Sequence, residues 1–154
     1  MISQQSTLTD GVILLRCLEQ GDTQSHLAGE DADQVRWASG GTSTAETVAR
    51  WIAENRREWL TGGPRRNFGV FDAETDELAG NAEAHLALDG LAAGEVNLSY
   101  VTFPTHRGRG IATRTVISSS AAGCPKLSGA WSRTQRSRSN SAAADWEYFG
   151  SARR

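Results

Sequence analysis

Two neighbouring stretches alternate so strictly that few folds can accommodate both. "LAGNAEAHLAL" (Leu78–Leu88) sets Ala82, Ala84, Leu86 and Leu88 on one face and Asn81, Glu83 and His85 on the other. "EVNLSYVTF" (Glu95–Phe103) opposes Val96, Leu98 and Tyr100 to Asn97, Ser99 and Val101. A period of two is the mark of a half-buried strand. An antiparallel pairing that puts Leu86 opposite Val96 matches apolar with apolar. It also sets Glu83 beside Ser99 and His85 beside Asn97. A slip of one residue would turn every side chain to the wrong face.

The elements around this hairpin follow from similar patterns. "GVILLRCL" (Gly11–Leu18) is β-branched and aliphatic between turn residues and predicts a buried strand. Between Asp22 and Trp37 the apolar positions are spaced, which predicts one or two short helices broken at "GEDAD". Ser43 and Glu46 form an S-x-x-E capping box, and Val48, Trp51, Ile52, Trp59 and Leu60 then recur near helical spacing until Gly62-Gly63-Pro64. "NFGVF" (Asn67–Phe71) predicts a strand and "DAETDE" (Asp72–Glu77) a polar turn. The order is therefore strand, helices, three antiparallel strands, then a helix from about Ile111.

Composition bounds the function classes. The chain has 154 residues, 38% hydrophobic and 22% charged, which suits one soluble globular domain. No apolar run approaches the ~20 residues of a membrane helix, and "MISQQSTLTDG" lacks the basic-then-apolar pattern of a signal peptide. Cys17 and Cys124 are far apart with no CxxC pair, so reduced thiols and a cytoplasmic location are expected. The net charge of −2 conceals an asymmetry: residues 1–105 carry 7 Arg/Lys against 16 Asp/Glu, and residues 106–154 carry 9 against 2. Positive charge in that second part would suit phosphates, of a cofactor or of nucleic acid. His26, His85 and His106 show no metal-ligand spacing, and no metal is expected.

The basic part begins at "SYVTFPTHRGRGIATRTV" (Ser99–Val116), where a strand meets Pro104, two glycines, two arginines and a helix. A helix N-terminus offers unpaired N–H groups and partial positive charge to an anion. Gly108 and Gly110 bare the backbone and permit left-handed turns, while Arg107 and Arg109 add forked donors. The motif is not a P-loop, because no Gly-Lys occurs, and not the dinucleotide fingerprint, because Thr113 stands where its third glycine belongs.

"Arg107-Gly108-Arg109-Gly110-Ile111-Ala112" resembles the R/Q-x-x-G-x-G/A acetyl-CoA motif of the GNAT N-acetyltransferases. "LSYVTFPTHRGRGIAT" is similar to the strand-loop-helix of the Rim-type, ribosomal-protein alanine N-acetyltransferase branch, with Ser99 where glycine is usual, and "ADQVRWAS" around Trp37 is reminiscent of the same branch. The resemblance implies an α+β fold, a mixed and mainly antiparallel sheet flanked by helices. It implies a single domain over 1–154 with a recognisable core at 10–117. The tail at 118–154 is divergent, rich in Ser, Arg and Ala, and leaves the family's C-terminal strands incomplete.

The resemblance also implies roles. Val101, Thr102 and Phe103 would offer backbone groups to the pantetheine arm and thioester of acetyl-CoA. The N–H groups of Arg107, Gly108, Arg109, Gly110, Ile111 and Ala112 would hold the pyrophosphate, with a hydroxyl from Thr113. Glu83 is the first candidate for the base that frees the attacking amine, Tyr148 a candidate acid toward the leaving thiolate, and His85 and Ser99 line the acceptor side. The acceptor would be a small-molecule amine or a protein N-terminus. A pseudoenzyme that binds acetyl-CoA without turnover is the alternative. A basic module binding nucleic acid through Arg, Trp131, Trp146 and Tyr148 is less favoured, because its aromatics are few and scattered.

Overall fold

A computed structural model describes residues 7–35, 42–87, 89–91 and 97–121. In chain order it contains β1 (Leu8–Thr9), β2 (Ile13–Arg16), a 3₁₀ turn (Gln20–Asp22), α1 (Thr23–Gly29), α2 (Ala32–Gln34) and α3 (Ala45–Thr61). Then follow β3 (Arg65–Asp72), β4 (Leu78–His85), β5 (Asn97–Thr102), a second 3₁₀ turn (Pro104–His106) and α4 (Ile111–Ala121). The five strands form one antiparallel sheet in the order β1-β2-β3-β4-β5. This is the α+β architecture expected from the sequence. The C-terminal strands expected to be incomplete lie outside the described residues.

The β4–β5 register is the one the alternation requires: Glu83 pairs with Ser99 and His85 with Asn97. Val96 and Leu88 lie outside the described residues. Burial separates the two faces. Ile13, Leu15, Phe68, Val70 and Ala82 share a cluster with Ile111 of α4, and Val116 extends that cover over Ala84 and Leu98. On the other face Leu18, Phe71, Leu78, Val101 and Phe103 pack against Leu27 of α1 and Val48, Trp51 and Ile52 of α3. Each large side chain so buried contributes about 1.5–3 kcal/mol relative to exposure.

Two details depart from the expectation. The first strand is half of a hairpin: β1 pairs with β2 across Asp10-Gly11, whose Asp10 side chain accepts from the N–H groups of Val12 and Ile13, and Gly11 has a φ of 89°. The cap of α3 sits one residue later than Ser43: Thr44 accepts from the N–H of Thr47 at 3.2 Å and the Thr47 hydroxyl accepts from the N–H of Thr44 at 2.9 Å. Ser43 instead donates to Glu30 at 2.9 Å, and Glu46 pairs with Arg50 on the exposed face. As expected, a helix begins at Ile111, and it runs through Ala121.

Candidate active site

Pro104 opens the second 3₁₀ turn, and Gly108 and Gly110 then adopt φ values of 72° and 74°, the left-handed region that glycine enters without strain. A Cβ at either position would meet no protein atom within 4 Å, so both glycines face open space. The first backbone bond within α4 runs from Arg114 N–H to Gly110 O at 3.1 Å. The N–H groups of Ile111, Ala112 and Thr113 therefore have no carbonyl one turn back. Bared amides, a helix N-terminus and an exposed turn together fit a diphosphate.

The two arginines of this turn act as braces. Arg107 donates through Nε to Thr102 O and through Nη2 to Asp31 Oδ2, both at 3.0 Å, joining the end of β5 to the N-cap of α2. Arg109 donates through Nη2 to Asp72 Oδ2 at 3.0 Å. Asp72 also caps the β3–β4 turn, its Oδ1 accepting from Glu74 N–H at 2.9 Å and Thr75 N–H at 3.3 Å. The Glu74 N–H foremost, helped by Thr75 N–H and Arg109, holds the Asp72 carboxyl below the usual carboxylate range. Arg109 remains half exposed. Asp31 and Asp72 are site residues that sequence reasoning missed, since neither is near the motif in the chain.

The backbone of β5 divides its labour. Phe103 N–H donates to Ala79 O at 2.7 Å and its carbonyl accepts from His106 N–H at 2.9 Å, so both of its groups are engaged. Antiparallel alternation then turns Val101 toward β4 and Thr102 toward the outer edge. Of the three residues expected to serve the pantetheine arm, Thr102 is the one whose N–H faces outward.

One rung away, on the sheet face shared with α1 and α3, lies a polar row. Asn67, Glu83 and Ser99 are cross-strand neighbours, as are Arg65, His85 and Asn97. Glu83 accepts from Asn67 Nδ2 at 3.3 Å, and its other oxygen is in close contact with His85 Nε2. Asn67 is buried, and its carbonyl accepts from Trp59 Nε1 at 2.8 Å. Ser99 Oγ donates to Asn97 Oδ1 at 3.5 Å. The structure thus brings Glu83, His85 and Ser99 together and adds Asn67, which the reading of β3 as a plain strand did not single out. Tyr148 lies outside the described residues. Among the described residues no cluster of three or more His, Cys, Asp or Glu could hold a metal ion, and no helix is long and apolar enough to cross a membrane.

The family model for the acetyltransferase (GNAT) domain matches residues 13–144. The chain belongs to the GNAT acetyltransferase family. Solved structures share the fold at low identity. A GNAT-family acetyltransferase of Bacillus anthracis is 19% identical with a TM-score of 0.59, covering 73% of this chain and 63% of its own. A Vibrio cholerae protein assigned as a ribosomal-protein-serine acetyltransferase is 14% identical with a TM-score of 0.62, covering 75% and 65%. FdhC, a nucleotide-linked sugar GNAT, is 14% identical with a TM-score of 0.57, covering 82% and 68%. The GNAT chain described here thus spans less than two thirds of the length of the first two. No curated protein sequence matches it.

Proposed function

We propose that this GNAT domain transfers an acetyl group from acetyl-CoA to a primary amine by direct attack. The observation that carries the reading is the exposed turn with Gly108 and Gly110 in left-handed geometry, opening onto the unpaired N–H groups of α4. Those amides and Thr113 hold the diphosphate, and Arg109, half exposed at the rim, adds charge. Acetyl-CoA supplies the activated acyl group. Thr102 N–H, on the outer edge of β5, is placed to polarise a carbonyl oxygen there.

Glu83 lies one rung from Val101 on this face and His85 two, and they take the proton that the amine must lose before attack. Two residues of strand span about 7 Å, so a water between Glu83 and the amine completes the path. Likeness to a ribosomal-protein-serine acetyltransferase favours a protein acceptor, and likeness to FdhC, a nucleotide-linked sugar GNAT, favours a small molecule.

Calorimetric titration with acetyl-CoA tests the reading. Wild type binds, and an Arg107→Ala, Gly110→Ala double variant binds at least tenfold more weakly. Equal binding by both removes the cofactor site from this turn. Binding without release of thiol, in the presence of amines, favours the pseudoenzyme. Nucleic-acid affinity that falls steeply with salt, without acetyl-CoA binding, favours the basic module.

A further inference from the structure

The turn between β3 and β4 is joined to the glycine turn at two points. Asp72 and Glu77 stand at its two ends, and the Asp72 N–H donates to the Glu77 carbonyl at 2.9 Å. The residues between them are tied down. Asp72 Oδ1 accepts from the N–H groups of Glu74 and Thr75, and the Asp76 N–H donates to Asp72 O at 2.9 Å. Asp76 closes the turn at a φ of 59°, a left-handed conformation that Asp enters more readily than most residues. From this frame each end sends a carboxylate across to the glycine turn. Asp72 Oδ2 meets Arg109 Nη2 at 3.0 Å, and Glu77 Oε2 lies 3.6 Å from His106 Nε2.

His106 and Arg109 bracket Arg107 and Gly108 in the chain. Glycine has more backbone freedom to lose than any other residue, so a turn built on Gly108 and Gly110 gains most from restraint on its flanks. His106 supplies one flank. Its ring is buried, its Nδ1 lies 2.9 Å from the Thr105 hydroxyl, and its N–H donates to Phe103 O at 2.9 Å. With the Thr105 hydroxyl donating to Nδ1, a neutral ring carries its hydrogen on Nε2, the nitrogen that faces Glu77. A protonated ring carries one there too. At 3.6 Å this is a charge contact rather than a full hydrogen bond, and it orients the ring. Arg109 supplies the other flank through its bond to Asp72.

We propose that the β3–β4 turn is a two-point clamp on the diphosphate turn, with Glu77 a positioning residue that acts through His106 and Asp72 one that acts through Arg109. Neither carboxylate touches the cofactor. Each is answered by a base of the glycine turn, and together they hold the backbone of Arg107 and Gly108 in the geometry that presents its amides. Restraint set before binding lowers the ordering cost that the ligand would otherwise meet. The proposal deepens the acetyl-CoA reading and takes its ligand from it, whereas the clamp itself rests on the two contacts alone.

The test compares wild type with Glu77→Ala by NMR titration of the full-length chain. Two probes are used: acetyl-CoA, and S-acetylpantetheine, which keeps the thioester and its arm but lacks the diphosphate. Glu77→Ala weakens acetyl-CoA by about threefold, as expected for loss of a partly exposed charge contact, and leaves S-acetylpantetheine as it was. In the ligand-free chain the same substitution moves the amide signals of Gly108 and Gly110 and spares those of Ala84 and Leu98, paired at the far end of β4 and β5. A merely structural role would weaken both probes together. Unchanged acetyl-CoA affinity, an equal loss on both probes, or Gly108 and Gly110 signals that stay in place overturns the proposal. Glu77 is 68% exposed, so its truncation opens no cavity. Should Glu77→Ala still fail to fold, Glu77→Gln, which removes the charge alone, is read by the same criteria. Where wild type does not bind a probe, the ligand-free amide signals decide the clamp, and for acetyl-CoA that result also refutes the acetyl-transfer reading.

Discussion

Arg107 bridges two elements that the chain separates widely, and its replacement by lysine measures that bridge. The guanidinium makes two 3.0 Å bonds in different directions, to Thr102 O and to Asp31 Oδ2, with its side chain only 17% exposed. A lysine keeps the charge but presents a compact ammonium on one stem, without the fork that spans both acceptors. One hydrogen bond to a charged group is worth about 1.5–3 kcal/mol, and because Asp31 is partly exposed, water recovers some of it, leaving about 1–2 kcal/mol. At about 2–4 °C per kcal/mol for a domain of this size, Arg107→Lys lowers the thermal midpoint by about 2–8 °C. The decisive assay is a double-mutant cycle with Asp31→Asn, read by denaturant unfolding. If the pair acts as a unit, the two losses fall short of additivity by about 1 kcal/mol, and acetyl-CoA binding weakens in both single variants. Additivity within about 0.3 kcal/mol, with acetyl-CoA affinity unchanged, would refute the view that this arginine braces the turn.

Other outcomes follow from the same geometry. Glu83→Gln keeps the contact with Asn67 but removes the proton acceptor, so thiol release with an amine substrate falls about 100-fold or more while acetyl-CoA affinity holds; an unchanged rate would move the base elsewhere. Thr44→Ala costs about 1 kcal/mol in urea unfolding and Ser43→Ala less, the order opposite to that expected from an S-x-x-E box. Acid acts in two windows. His26 has its folded pKa lowered from 6.5, so the unfolded chain binds the extra proton and stability falls as pH drops below that value; thermal midpoints from pH 7 to pH 5 show the decline in wild type but not in His26→Phe. Asp10, Asp22 and Asp72 also have folded values below 3.8, so their contributions are present above that pH and are lost only as it falls further. For Asp22, burial pushes the carboxyl up, but Arg16 at 2.8 Å and the Glu19 N–H at 2.7 Å outweigh it.

The β4–β5 register was legible because both strands have one buried and one polar face, so a single alignment satisfies both. The glycine turn was legible because positive φ selects for glycine at Gly108 and Gly110, a local demand that leaves a local trace. The hairpin at Asp10-Gly11 carried a strong turn signal, but its first strand is two residues long, too short for periodicity to register. The α3 cap was misplaced by one residue because Ser43 and Thr44 are both good caps, and the choice depends on Glu30, which takes the Ser43 hydroxyl. The braces from Asp31 and Asp72 could not be read at all. They arise from side chains far apart in the chain that meet only when α1 and the sheet have closed together.

That remoteness has a consequence for assembly. The carboxylate partners of Arg107 and Arg109 lie 76 and 37 residues upstream, and Arg114 of the following helix reaches 104 residues back to Asp10. Loop-closure entropy must be met before any of these links forms, so the turn reaches working order late, after the N-terminal half has docked. A ligand gripping that turn engages only chains that have completed the docking, and draws the folding equilibrium toward them.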